Sequence, residues 1–235
     1  VDINKKPLET LLEKAKQLGK ATGIVVTSKI NDATPAAFLV HNENRYNSNE
    51  IADAYFDERV NGKFKADVML GSGTKYFKRK DRNLIEQFKS AGYQHISKIE
   101  QLKTLNYENN KVLGLFADYA TPWSLDEKSM LDLQKQTAAA VKLLEQDDNG
   151  FILVVESSKI DWAGHQNDIA NLVGEMDSFA KTVEWVEQYV KANPDTLMIV
   201  TADHSTGGLS LSTGGGYMER GGGYYWQPKW LRNLT

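Results

Sequence analysis

A chain of 235 residues with 41% hydrophobic and 25% charged side chains carries enough apolar material to bury one large α/β domain. Its formal net charge of −3 supplies no basic field to draw in nucleic acid. Cysteine is absent, so disulfides and thiolate ligands are excluded, and no apolar run reaches the length of a membrane span.

Taken in chain order, Pro7 to Lys20 predicts an amphipathic helix, with Leu8, Leu11, Leu12, Ala15 and Leu18 at helical spacing and Gly19 as its stop. Gly23 to Ser28 is a β-branched apolar run and predicts a buried strand. Asn49 to Val60 predicts a helix, Ala66 to Leu70 a strand, Asn83 to Ala91 a helix and Val112 to Ala117 a strand. Met130 to Glu145 predicts a strong helix. Phe151 to Glu156 predicts a strand after the turn residues Asp147-Asp148-Asn149-Gly150. Asp168 to Ala192 predicts a long helix, and Thr196 to Thr201 a fifth strand. Alternating apolar strands and helices imply an α/β fold: a mostly parallel central sheet with helices on both faces. Residues 1–212 read as one core domain, and 213–235 as a glycine-rich loop with an aromatic tail. The start at Val1, without an initiator Met or an apolar signal region, leads us to expect a piece of something longer.

Two strand ends carry chemistry. After FILVV comes Glu156-Ser157-Ser158-Lys159-Ile160-Asp161-Trp162-Ala163-Gly164-His165, and after TLMIV comes Thr201-Ala202-Asp203-His204-Ser205-Thr206-Gly207-Gly208. Sites in open α/β sheets form beyond the carboxyl ends of strands. Asp161 and His165, four apart, share a helix face. Asp203 and His204 would point to opposite sides of a strand, so both serve one site only if the chain turns there, as Thr206-Gly207-Gly208 allows. A third segment, Asn31-Asp32-Ala33-Thr34-Pro35-Ala36-Ala37, reads locally as a helix start with Thr34 as cap and Pro35 in the first turn. His41 fits a packed histidine, and Arg45 taken alone fits a solvated charge.

DATPAA followed by His and Arg, ESSxIDWAGH and TADHxTGGLS resemble three ordered signatures of bacterial alkaline phosphatases, over a stretch from about Val1 to Ser212. The resemblance implies that Asp161 and His165 ligate a first zinc, that Asp203 and His204 ligate a second, and that Thr34 and Glu156 ligate magnesium. By the same resemblance Asp32 orients magnesium-bound water, Arg45 grips two phosphate oxygens and Trp162 tunes phosphate contacts. It further implies a phosphoserine intermediate, phosphate monoester substrates, a homodimeric intact protein and a periplasmic or secreted location. Three features of the family pattern are missing: a D-S-A nucleophile segment and a bridging aspartate before Asp32, and a histidine after His204. Asp177-Ser178-Phe179-Ala180 sits inside a helix pattern and is a poor substitute. The expectation is therefore an internal fragment, inactive alone, with incomplete metal shells and an exposed sheet edge or apolar patch. The alternatives are a phosphodiesterase or sulfatase of the same superfamily, and a non-catalytic metal- or phosphate-binding domain.

Overall fold

The computed structural model describes residues 2–4, 6–126 and 133–208. Helix α1 spans Leu11–Gln17, shorter than the periodicity predicts. Thr10 starts it with a capping box: its hydroxyl accepts from the Glu13 N–H at 3.1 Å, and Glu13 Oε2 accepts from the Thr10 N–H at 2.9 Å. Strand β1 (Ala21–Lys29) is buried along its whole length. Short α2 (Ala33–Ala37) is capped by Asp32, whose Oδ1 accepts from the Ala33 N–H at 2.9 Å. The cap is thus Asp32 and not Thr34, which lies one residue inside the helix and keeps its hydroxyl for another partner. Helix α3 (Ser48–Asp57) ends three residues earlier than predicted, because Arg59–Val60 (β2) pairs antiparallel with Lys63–Phe64 (β3). Asn61 and Gly62 turn that hairpin with φ of 50° and 77°, the left-handed backbone such tight turns need.

Strand β4 (Val68–Ser72), α4 (Thr74–Phe77), α5 (Leu84–Ser90) and β5 (Gln94–Ile96) follow, then a 3₁₀ turn at Ile99–Thr104 and β6 (Val112–Leu115). Helix α6 (Leu133–Leu144), β7 (Phe151–Glu156), α7 (Lys159–Gln166) and α8 (Ile169–Ala192) complete the elements. The sheet order is β5-β6-β4-β1-β7, every pair parallel. Successive β1 side chains alternate faces: Ile24 and Val26 enter one core with Leu12, Ile51, Phe77 and Phe88, while Val25 enters another with Leu133, Ala140 and Leu144. Helices therefore cover both faces of a parallel sheet, as the sequence pattern implies. No described helix is long and apolar enough to cross a membrane.

Residues 196–201 do not form the predicted strand. They run as irregular chain with Leu197 82% and Ile199 77% exposed. A β-branched run becomes a strand only when a neighbour pairs its backbone, and among the described residues none does. Among the described residues β7 pairs only with β1, and each of its residues is half-buried where β1, β4 and β6 are fully buried. Among the described residues no strand covers that edge. Residues 130–132 at the start of the helix predicted over Met130 to Glu145, the domain limit at 212 and the aromatic tail 213–235 lie outside the described residues.

After β6 the chain crosses the carboxyl ends of the sheet. The Gly73 and Thr74 N–H groups donate to the Ala117 carbonyl at 2.9 and 3.0 Å. The Thr121 hydroxyl donates to the Thr27 carbonyl at 3.0 Å, and Lys159 donates to the Pro122 carbonyl. The Ser124 N–H donates to Glu175 Oε1 at 2.9 Å. This strap joins β4, β1, α7 and α8 above the strand ends.

Candidate active site

The site begins where β1 ends. Tyr55 donates to the Ile30 carbonyl at 2.6 Å, and Asn31 Nδ2 to the Ser48 carbonyl at 2.8 Å, which fixes the exit of the chain toward Asp32. The Asp32 carboxylate, 15% exposed, faces two cations: Lys29 Nζ at 3.5 Å and Arg45 Nη2 at 3.6 Å. Register places Glu156 at the carboxyl end of β7, opposite Val26. The Ser158 hydroxyl donates to Glu156 Oε2 at 2.5 Å, and Ser28 donates to Ser158 at 2.9 Å. Burial pushes the Glu156 carboxyl above the ordinary carboxylate range. Hydrogen bonds from Ser158 and Thr34 hold it back, while the charges of Asp32 and Asp203 push it further up. The charges of Asp32 and Asp203 thus both reach Glu156.

Asp161 and His165 lie one turn apart on α7, with Oδ2 and Nε2 separated by 3.5 Å. Asp203 and His204 approach each other at 3.5 Å in irregular chain. The two pairs meet through Thr206. Its hydroxyl donates to Asp161 Oδ1 at 2.6 Å and lies 3.1 Å from His204 Nδ1. Two glycines permit this docking. A Cβ on Gly207, whose φ is +77°, would sit 2.1 Å from the Gly164 carbonyl oxygen, and a Cβ on Gly164 would meet Thr206 at 3.0 Å. The 203–208 segment therefore rests directly on the backbone of α7.

The structure thus brings Asp32, Thr34, Arg45, Glu156, Asp161, His165, Asp203 and His204 to one end of the sheet. Trp162 joins them with its ring stacked on Tyr119, centroids 6.1 Å apart and planes 25° apart. His41 is not there: its Nε2 faces Glu13 at 3.0 Å beside α1. Burial opposes ionisation of Glu13, yet Lys65, the Thr10 N–H and His41 hold its carboxyl below the ordinary range. Ser178 is a helix residue whose carbonyl accepts from Thr182, and its neighbour Asp177 pairs with Lys181 at 2.6 Å.

The donor chemistry suits divalent ions, with carboxylate and hydroxyl oxygen in one corner and paired imidazole and carboxylate beside it. Among the described residues no group of three or more His, Asp or Glu side chains gathers closely enough to hold an ion alone. What the residues offer are parts of shells. Sequence reasoning passed over Lys29, Ser158, Thr206 and Tyr119. Thr206 lay inside a quoted motif and Lys29 three residues before Asp32, whereas Tyr119 stands in no motif.

A family model described as alkaline phosphatase matches residues 1–233. "Alkaline phosphatase 3" of Bacillus subtilis (strain 168) is 48% identical over 212 residues, which is 90% of this chain and 46% of that protein. The alkaline phosphatase of Escherichia coli (strain K12) is 30% identical over 252 residues, covering 87% of this chain and 53% of its own. Among solved structures, the cold-active alkaline phosphatase of the psychrophile Shewanella sp. superposes with a TM-score of 0.83 at 48% identity, over 92% of this chain and 52% of that one. A mutant of the TAB5 alkaline phosphatase, described with Mg bound in the M3 site, superposes with a TM-score of 0.79 at 29% identity, over 90% of this chain and 60% of its own. The chain spans about half the length of the curated relatives it matches. A match that runs almost from end to end, on a sheet of the same architecture, settles the kinship: the chain belongs to the alkaline phosphatase family.

Proposed function

We propose that these residues form the phosphate-gripping and metal-ligating part of a phosphomonoesterase. The observation that carries the reading is the Thr206 hydroxyl, which links Asp161 of one Asp-His pair to His204 of the other beside the Asp32–Arg45 corner. In this reading Asp161 and His165 hold one zinc, Asp203 and His204 a second, and Thr34 and Glu156 magnesium, with Asp32 orienting its water. Divalent ions held by these residues would supply charge neutralisation for an in-line phosphoryl displacement. Arg45 presents a planar fork to two phosphate oxygens. Its side chain is 59% exposed and its Nη2 lies 3.6 Å from Asp32 Oδ1, so the guanidinium is free to swing from that carboxylate onto a dianion. Glu156, buried and crowded by two further carboxylates, gains most from a cation.

Ser178, inside α8 with its carbonyl bonded by Thr182, does not serve as the nucleophile in this reading, and the outcome we expect for the isolated chain is no turnover of phosphomonoesters. We place the intact protein in the periplasm or outside the cell, as a homodimer, from its resemblance to bacterial alkaline phosphatases. Zinc and magnesium titration of the chain by calorimetry tests the core of the reading. Saturable zinc binding that weakens about tenfold or more in Asp203→Ala is the outcome we expect. Zinc affinity indifferent to Asp161→Ala and Asp203→Ala together would refute it, and so would sustained turnover of a phosphomonoester that survives both changes.

A further inference from the structure

The Asp32–Arg45 corner has an aromatic wall that phosphate binding does not require. Tyr119 is 47% exposed although its ring stacks on Trp162, the residue after Asp161. Lys29 ties this wall to the site: its Nζ lies 3.5 Å from Asp32 Oδ1 and 5.8 Å from the Tyr119 centroid. Lys75 rests between two rings, 4.5 Å from Tyr119 and 4.9 Å from Tyr76. Tyr46, next in the chain to Arg45, is 83% exposed. Large aromatic side chains open to water beside a site suit recognition, because each offers apolar area at little entropic cost.

The wall is also held firm. Tyr119 sits mid-strap, between the Ala117 carbonyl bonded by Gly73 and Thr74 and the Thr121 hydroxyl bonded to Thr27. The Lys159–Pro122 contact pins the strap beyond it. A ring fixed in this way has little freedom to lose when a ligand arrives. The two ammonium groups near it supply positive charge where a ligand carries additional anionic or carbonyl oxygens.

We infer that Tyr119, backed by Trp162, receives the flat ring of the leaving group, so that the site favours phosphomonoesters of nucleosides and other ring-bearing alcohols over those of small aliphatic alcohols. This rests on the phosphatase reading and names the substrate class for the same site. Adenosine 5′-monophosphate and ribose 5-phosphate make the sharpest comparison, since they share phosphate and sugar and differ by the base.

The test is calorimetry on the zinc- and magnesium-supplemented chain with both compounds and with inorganic phosphate. The nucleotide should bind about five- to tenfold more tightly than ribose 5-phosphate, the scale of one aromatic stack. The ratio should persist in Tyr119→Phe and fall to near one in Tyr119→Ala; being a ratio, it is insensitive to partial loss of folded protein. A ratio near one in the unaltered chain, or one that survives Tyr119→Ala, overturns the inference. If phosphate and ribose 5-phosphate fail to bind, the phosphatase reading falls instead. Saturation-transfer NMR with adenosine then still reads the wall: adenine signals that depend on Tyr119 uphold it, and adenine signals indifferent to Tyr119→Ala, or none at all, overturn it.

Discussion

Lys159 offers a stability measurement that checks the strap directly. Its side chain is 2% exposed, donates to the Pro122 carbonyl and lies 4.0 Å from Glu175 Oε1, itself buried. Burial pushes the ammonium down to about 8 from its ordinary 10.5, against the pull of Glu175 and Asp126. That depression is worth about 3 kcal/mol. The sign follows from proton counting. Below pH 8 the folded state carries the full cost of a desolvated cation; between 8 and 10.5 the unfolded chain binds more protons, so stability rises with pH. Summed over both ionisations, the gain from pH 7 to pH 9 is about 1 kcal/mol. Buried Tyr55 and Tyr93, with phenols raised by burial, oppose this only near pH 10 and above, where unfolded phenols ionise. Urea unfolding at pH 7, 8 and 9 on the unaltered chain and on Lys159→Met gives the comparison. Because removing one partner strands Glu175, the paired replacement Lys159→Met with Glu175→Gln is the companion variant. Parallel pH profiles for the unaltered and doubly replaced chains would refute the reasoning, since both would then lack the titration.

Two further outcomes follow from glycine contacts. Gly207→Ala places a methyl 2.1 Å from the Gly164 carbonyl oxygen in a left-handed backbone, so the 203–208 segment must lift from α7. Zinc affinity, read with a chromophoric competitor, should fall about tenfold or more while the thermal midpoint scarcely moves; equal affinity would show that the docking is not needed. Gly71→Ala puts a methyl 2.7 Å from Ile30 Cγ2, 2.8 Å from Val26 Cγ2 and 3.0 Å from the Ser28 carbonyl, inside β1–β4 packing. Denaturant unfolding should show a loss of about 1–3 kcal/mol, and an unchanged midpoint would mean that the sheet yields more easily than the packing implies.

The legible parts of this chain are those where one local rule decides. Phe151 to Glu156 was read with its exact bounds, because a turn precedes it and its polarity changes at Glu156. Both Asp-His pairs stand out because each follows an apolar run with acid and imidazole at short spacing, and Thr206 brings the two together. Thr196 to Thr201 was misread because a strand is a property of two chains of backbone, and only one is written there. Gln94–Ile96 was missed for the converse reason: three residues of mixed polarity are held by β6, not by their own pattern. The Asn61-Gly62 hairpin carried a signal that was overlooked, hidden at the end of a helical run. Tyr119 could not be found, since its meaning comes from Trp162 and Lys29, which are distant in sequence and meet only through the strap.

The flank of β7 that pairs with no strand among the described residues has a practical consequence for anyone handling the isolated chain. Its unpaired backbone donors and acceptors run beside apolar side chains, with Leu197, Ile199 and Val200 exposed elsewhere on the surface. Such a border acts as a template for any extended chain that drifts past, including a sister molecule. Concentrated stocks should therefore become turbid before they unfold.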